Sequence, residues 1–466
     1  MLKFKELTDK DIIKIQKYTS KCNYPLCDYS GGVIFTWYFP YNPTYALFDD
    51  TLILKFGERG SERFMLPVGK NFFDALKEIE KYAVLKEETL RFICVDDANV
   101  DILNKRYNGK LTSSYNRNYS DYIYDAEEMR TFSGKKFSGQ RNHINSFKKN
   151  YKNYKYKKIT GKDVEKIKEF LSKYDKQYPK KSKIEKKELE FTYTFLELIK
   201  TSKLFGCYIE YSGEVVSMAI GEKRGETLII HVEKALLKYK GAYPLTYNEF
   251  VKHNATDGIT KINRQDDSGD MGLRTSKTQY KPIKLENKNF VVIDSPMPKF
   301  KKPTIRGERV ILDKIKKSDQ EVYYKLNVLK ENNKWWGYDY KKDIEKPTIE
   351  YFYKLQFKDF KNLKNLSLAI RDKKSKIMMG EVVLYNFDYE KKVEIGVRLF
   401  KKYQNKGFAL ESLKLITNFV KENLGLNPIM KCYKQNEKSK KMILNAGYEF
   451  DFEDKKYFYF KNLKKF

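Results

Sequence analysis

Between Lys392 and Val420 the chain reads, without a break, as strand, loop and helix. Lys392–Leu399 has the pattern of a strand. Gln404-Asn405-Lys406-Gly407-Phe408-Ala409 follows, and Leu410, Leu413, Ile416, Phe419 and Val420 then recur at helical spacing. The first turn of a helix has backbone N–H groups with no intrahelical partner, and the helix dipole adds partial positive charge there. Gly407 has no Cβ, so an anion the size of a pyrophosphate can approach the backbone, and Lys406 adds formal charge. An ordinary strand–helix turn can be written with the same letters, so the neighbouring segments decide between the two.

Those segments supply the context. Ile305–Leu312 reads as an opening strand, followed by a polar turn and a helix initiated at Asp319. Ile377–Tyr385 and Lys392–Leu399 read as consecutive strands. Downstream, Asn436-Glu437-Lys438-Ser439 heads a helix, and Gly447-Tyr448 ends it where a left-handed cap belongs.

With these motifs in this order, residues 303–460 resemble the GNAT superfamily, and within it the ribosomal-protein N-acetyltransferase (Rim-like) branch. The resemblance is carried by Arg306-Gly307-Glu308-Arg309-Val310, Ile395-Gly396, the Gln404 to Ala409 loop, and Asn436, Ser439 and Gly447-Tyr448. It implies that backbone N–H groups of Gln404, Asn405, Lys406, Gly407, Phe408 and Ala409 meet the pyrophosphate of acetyl-CoA. It further implies that Leu399 pairs with the pantetheine arm, that N–H groups near Val397–Leu399 polarise the thioester carbonyl, and that Asn436 bonds the coenzyme. Many members carry a tyrosine general acid seven residues after the asparagine, where this chain has Ile443. Ser439 is then the candidate acid, and Glu394 the candidate acceptor of the amine proton, with Glu381 as alternate. Trp335-Trp336 fall near the family's acceptor pocket and also read as ordinary core.

Upstream, Ser295-Pro296-Met297-Pro298-Lys299 and Lys301-Lys302-Pro303 read as a connector. Before it, Leu52–Phe56 and Leu90–Val95 read as strands, 71–82 as an amphipathic helix, 164–174 as a second helix, and Cys207–Tyr211, Val215–Ile220 and Leu228–Val232 as strands. The expectation is an α/β (α+β) chain in three pieces: a lobe over 1–155, a lobe over 156–295, and the acyltransferase unit over 303–466. Two stretches stand out, Ser133 to Lys149 and Ile262 to Arg274, the second continuing to Lys277 and Lys281 as one basic helical stripe. Over residues 20–295 they resemble a family related to the C-terminal catalytic domain of phosphatidylglycerol lysyltransferase, a tandem of GNAT-like folds. That resemblance implies that Arg141, His143, Arg264, Asp266, Arg274 and Lys277 line a site for an amino-acid-like ligand or aminoacyl-tRNA. The alternative is an internal ion-pair network joining the lobes. No membrane-embedded part is read in the chain, which argues against lipid modification.

Composition narrows the classes. The 93 basic residues against 62 acidic ones give a net charge of +31, but the lysines are spread along the whole length, as on a solvated face. Five scattered cysteines without a CxxC pair and three separated histidines argue against a disulfide or zinc framework. No apolar run is long enough to span a bilayer, and the N-terminus lacks a signal core, so a cytoplasmic location is expected. The sequence thus points to an acetyl-CoA-dependent N-acyltransferase acting on an amine of a protein, peptide or small molecule. Aminoacyl transfer in the N-terminal pair and a non-catalytic binding module are the alternatives.

Overall fold

In the computed structural model, which describes residues 2–462 apart from 59, 178–182, 257, 338 and 343, the backbone forms three mixed α/β sheets. They fall in two compact units, Met1–Ile79 with Thr89–Ile293, and Glu80–Glu88 with Asp294–Phe466. The first unit holds two sheets. One is ordered Lys5–Glu6, Thr44–Phe48, Thr51–Phe56, Arg63–Phe64, Arg91–Val95, Asn289–Ile293, Leu111–Tyr115, with Val68–Gly69 paired onto Thr51–Phe56. The other is ordered Lys284–Glu286, Asp121–Asp125, Lys261–Asn263, Thr227–Ala235, Glu214–Arg224, Phe205–Tyr211, Lys155–Lys158.

This corrects the division expected at residue 155. The change of sheet falls between Tyr115 and Asp121, because the helices Ala126–Thr131 and Ser138–Asn150 bury Met129, Ile144 and Phe147 in the core of the second sheet. The strand Asn289–Ile293 lies before the unit boundary and returns to the interior of the first sheet, between Arg91–Val95 and Leu111–Tyr115. Strand partners so distant in sequence leave no local signature.

The second unit contains one sheet, ordered Ile305–Arg306, Val310–Lys314, Leu366–Asp372, Met378–Tyr385, Lys392–Leu399, Asn427–Tyr433, Tyr457–Lys461, Glu449–Glu453. The opening segment is a hairpin, where a single strand over Ile305–Leu312 was expected. Gly307 N–H donates to Val310 O at 2.9 Å, while the N–H groups of Arg309 and Val310 turn to Glu411 Oε1 at 2.8 and 3.2 Å. Leu413, Ile416 and Val420 of the helix Phe408–Glu422 pack against Val393, Ile395 and Leu399. Each such side chain, once buried, contributes about 1.5–3 kcal/mol.

All three sheets follow one plan. Among the described residues each is antiparallel except for one short parallel contact: Phe64 with Phe92, Thr227–Ile229 with Lys261–Asn263, and Lys392–Glu394 with Asn427–Ile429. Parallel neighbours require a crossover, and the helices Phe72–Lys86, Ala242–Asn254 and Phe408–Glu422 provide it. All five cysteines are buried and unpaired. No helix among the described residues is long and apolar enough to cross a membrane.

In the second unit, Lys302 donates to Gln356 Oε1 at 2.6 Å with its ammonium 4.8 Å from the Phe360 ring centre, and burial lowers it from 10.5 to about 8. The folded chain thus holds this proton less tightly than the unfolded chain. The penalty on folding is complete below pH 8 and fades as pH rises toward 10.5. Lys302→Met should remove that alkaline rise in melting temperature, as read by calorimetry across pH 7–10.5.

Candidate active site

The parallel pair Lys392–Leu399 and Asn427–Tyr433 stays in register for three residues and then parts. On the other side of Lys392–Leu399 the antiparallel ladder with Met378–Tyr385 continues, and Phe400 N–H still donates to Met379 O at 3.0 Å. Backbone groups alternate in direction along a strand. If Phe400 and Arg398 point to that ladder, Val397 and Leu399 point into the parting, which is the orientation the sequence reading requires of them. The Leu399 carbonyl is taken by Gln404 Nε2 at 3.0 Å.

The loop at the mouth of this parting leaves a row of backbone donors open. Gln404 N–H is spent on Lys401 O at 3.2 Å and Glu411 N–H on Gly407 O at 3.1 Å. The N–H groups of Asn405, Lys406, Gly407, Phe408, Ala409 and Leu410 have no partner among the described residues. Gln404 therefore anchors the loop through its side chain and offers no backbone donor, which corrects its expected role. Gly407, with φ of 82°, is the residue before the helix, and a Cβ there would stand 2.7 Å from Arg309 Nη2. Arg309 also donates to Lys406 O at 3.0 Å and pairs with Glu411 at 3.2 Å.

The crossover helix of the second sheet begins differently. A Cβ on Gly241, the residue before Ala242–Asn254, would meet His143 O at 2.4 Å, so a carbonyl oxygen fills that turn. The turn at Gly407 presents a guanidinium instead.

The even-numbered residues of Lys392–Leu399 face away from the Phe408–Glu422 helix. Glu394 is buried, and accepts from Tyr385 Oη, from Asn386 Nδ2 at 3.0 Å and from Lys431 Nζ at 2.9 Å. Both of its oxygens are engaged, so it holds neighbours in place and has no free lone pair for an incoming amine proton. Glu381 is committed likewise, to Tyr323 at 2.6 Å and Arg398 at 2.7 Å. Trp336 stacks on Arg398 at 4.2 Å and would be 3.0 Å from a Cβ on Gly396, while Trp335, 39% exposed, meets Tyr433 at 5.5 Å. The pair thus lies over the parted strands. Asn436 is the N-cap of the helix Glu437–Asn445, accepting from Ser439 N–H at 3.2 Å. Ser439 is half-buried on that helix and Ile443 is fully buried.

In the first unit the expected lining divides. Arg264 forks onto Glu233 Oε2 at 2.9 and 2.7 Å and lies against Tyr247 and Tyr280 at 4.3 and 4.6 Å. Burial works against its charge, but Glu233 outweighs it and holds the guanidinium protonated. Lys277 donates to the carbonyls of Arg264 and Asp266. Burial pulls its ammonium below the usual lysine range. Arg274 forks onto Asp267 at 2.9 Å and reaches Asn118 at 2.8 Å. These contacts are the internal network that was the alternative to a cleft. Arg141 instead binds the carbonyls of Phe132 and Gly134, and His143 is exposed on Ser138–Asn150. Neither touches the Arg264 cluster among the described residues.

Comparison with known proteins assigns both units. The family model for phosphatidylglycerol lysyltransferase, C-terminal, matches residues 25–292, more than half of the chain. The chain belongs to this family. A second model, the acetyltransferase (GNAT) domain, matches residues 309–449, so the lysyltransferase-family region is followed by an acyltransferase unit. An uncharacterised protein of Mycoplasmoides gallisepticum is 25% identical over 218 residues, 46% of this chain and 67% of its own. A solved conserved protein of unknown function from Bacteroides thetaiotaomicron is 28% identical, covers 63% of this chain and 100% of its own, and superposes with a TM-score of 0.59. The structure of L-PGS from Bacillus licheniformis is 14% identical over 60% of this chain and 90% of its own, with a TM-score of 0.44.

Within the lysyltransferase-family region, sequence reasoning missed the most concentrated chemistry. Lys288, placed in the run-up to the connector, is buried with Asp121 Oδ1 at 2.8 Å, Asp28 Oδ2 at 3.0 Å, Asp266 Oδ2 at 3.1 Å and Cys27 Sγ at 3.4 Å. Burial alone would lower its ammonium, but Asp121, Asp28, Cys27 and Asp266 together hold it well above the ordinary lysine range. The same Cys27, Asp28 and Asp121 lie within 4.8 Å of one another, near enough to hold a metal, but Lys288 supplies their cation. Asn263 links Asp121 to Gln265, which bonds the buried His231, itself 2.9 Å from Glu222. The pairing of Asn263, Gln265 and His231 across the parted strands of the second sheet left no spacing signal. Lys288→Met should leave three carboxylates without their cation and cost on the order of 3–5 kcal/mol in urea unfolding. A loss below about 1 kcal/mol, typical of an exposed pair, would reject this account.

Proposed function

We propose that the C-terminal unit transfers an acetyl group from acetyl-CoA to an amine, and that the lysyltransferase-family region takes no part in binding the coenzyme. The observation that carries this reading is the contrast between two crossover turns. The turn at Gly407 offers a row of unpartnered N–H groups beneath Arg309, while the one at Gly241 is filled by the His143 carbonyl oxygen. The parted strands beyond Glu394 and Ile429 give the pantetheine arm an edge to pair with, through Val397 and Leu399.

The transfer forms a C–N bond as the C–S bond breaks, and moves one proton from nitrogen to sulfur. We assign Val397 N–H, aimed into the parting, to the oxyanion that develops on the carbonyl. With Glu394 and Glu381 committed to cations, they serve as positioning residues, and the amine proton leaves to water. Two hydroxyls are candidates to protonate the departing sulfur: Ser439 on the helix Glu437–Asn445, and Tyr433 at the end of the parted strand Asn427–Tyr433. Tyr433 is shifted up, first by its hydrogen bond with Tyr457 and then by burial, so it is a protonated phenol at neutral pH. Asn436, spent on the cap through its oxygen, keeps an amide N–H₂ for the coenzyme.

Isothermal calorimetry tests the coenzyme assignment. Gly407→Val should weaken acetyl-CoA by about 100-fold, the loss of two charge-assisted bonds, with a folding cost of about 1 kcal/mol for the left-handed backbone. Arg309→Ala, half-exposed, provides a second variant that folds normally and should still lose affinity. Wild-type protein that ignores acetyl-CoA would overturn the reading. In thiol-release assays, Tyr433→Phe and Ser439→Ala separate the two proton donors, the true one losing about 100-fold in kcat.

A further inference from the structure

Resting on that reading, the acceptor face carries information about the amine itself. It is built over the parted strands from Trp335, Tyr433, Tyr457 and Tyr385. Such rings are the usual cage for a cationic ligand, but here a resident lysine already lies against each of them. Lys334 Nζ is 4.9 Å from the centre of Trp335. Lys456 Nζ is 5.0 Å from Tyr433 and 5.2 Å from Tyr457. Lys431 Nζ is 5.7 Å from both Tyr385 and Tyr457.

Three acids near these rings are spent. Glu394 is held by Lys431, Tyr385 and Asn386. Asp454, next in the turn to Lys456, accepts from the N–H groups of Lys456 and Tyr457 at 2.7 Å and from Tyr459 Oη at 2.8 Å. Glu453 pairs with Lys434 at 2.8 Å. A polyamine arriving here would find these ring faces taken and three ammonium groups opposing it. An amine with a carboxylate close by would meet Lys456 and Lys334 without displacing anything.

We propose that this face selects amines carrying a neighbouring carboxylate, as in free aspartate or the N-terminus of an acidic peptide, and disfavours polycations. Lys456 is the specificity-determining residue. It stands fully exposed on a turn, so changing it leaves the fold alone.

The experiment is a thiol-release assay with acetyl-CoA on the full chain, after calorimetry has established coenzyme binding. The amines are free aspartate, an Asp-Glu-Ala-Ala peptide, its Asn-Gln-Ala-Ala counterpart and spermidine. The expected result is a preference for the acidic over the amide peptide of roughly fivefold in kcat/KM, the factor for one exposed charge pair. Lys456→Glu should abolish or reverse it. Aspartate used as well as the peptide identifies a small-molecule acceptor, and the peptide alone identifies a protein terminus. Either result supports the proposal. Spermidine as the best substrate, equal use of both peptides, or release with none of the four despite coenzyme binding overturns it. Failure to bind acetyl-CoA at all would instead strike the reading on which it rests.

Discussion

The second unit depends on a pairing that stops early. Strands Lys392–Leu399 and Asn427–Tyr433 are hydrogen-bonded through only three residues, and past them the two run apart. A parallel pair must be joined by a crossover, so the helix Phe408–Glu422 starts at the open end of the parting, and its free N–H groups arrive beside the free strand edge without further design. Glu394 sits at the last paired position, and its bonds to Lys431 and Tyr385 tie the root of the fork. Past that knot Trp336 lies over Gly396 and Arg398 of one strand, and Trp335 against Tyr433 of the other.

The same plan occurs in the second sheet of the first unit with a different outcome. In the second sheet the strands that part after Ile229 and Asn263 are bridged by side chains, Arg264 on Glu233 and Gln265 on His231. The turn before its crossover helix is closed by the His143 carbonyl. Shared topology does not make the turns equivalent: the atom against the turn glycine is a carbonyl oxygen at Gly241 and a guanidinium nitrogen at Gly407.

Much of this was legible in the sequence and some was not, for definite reasons. The loop Gln404 to Ala409 was readable because a strand, a glycine turn and a helix start are local, and their spacing survives in the letters. Ile443 was readable as a departure from the acid-bearing pattern, and the structure buries it. The lobe boundary was misplaced because strand partners such as Asn289–Ile293 and Arg91–Val95 are assigned by packing, which no local window records. Glu394 and Asn436 were found as residues, but a carboxylate tied to Lys431 and Tyr385 and an asparagine capping a helix have structural uses that only their partners reveal. Arg309 entered only as part of a motif, yet it places a guanidinium against the Gly407 turn.

Lysine shows the limit most sharply. A chain with 93 basic residues makes any one of them look like solvent-facing surface, and for most that is correct. Lys288 closes a buried knot of three aspartates, Lys277 ties two carbonyls, Lys302 is stripped of water on a phenylalanine, and Lys456 rests on two tyrosines at an exposed turn. These four differ in burial and partners, not in sequence context, and their charges answer differently. Aspartates hold Lys288 charged, whereas desolvation without a carboxylate brings Lys302 down to about 8. The charge balance of such a chain is a property of its surface. What it does with charge is decided at the few places where a lysine has lost its water and must take its partner from the fold.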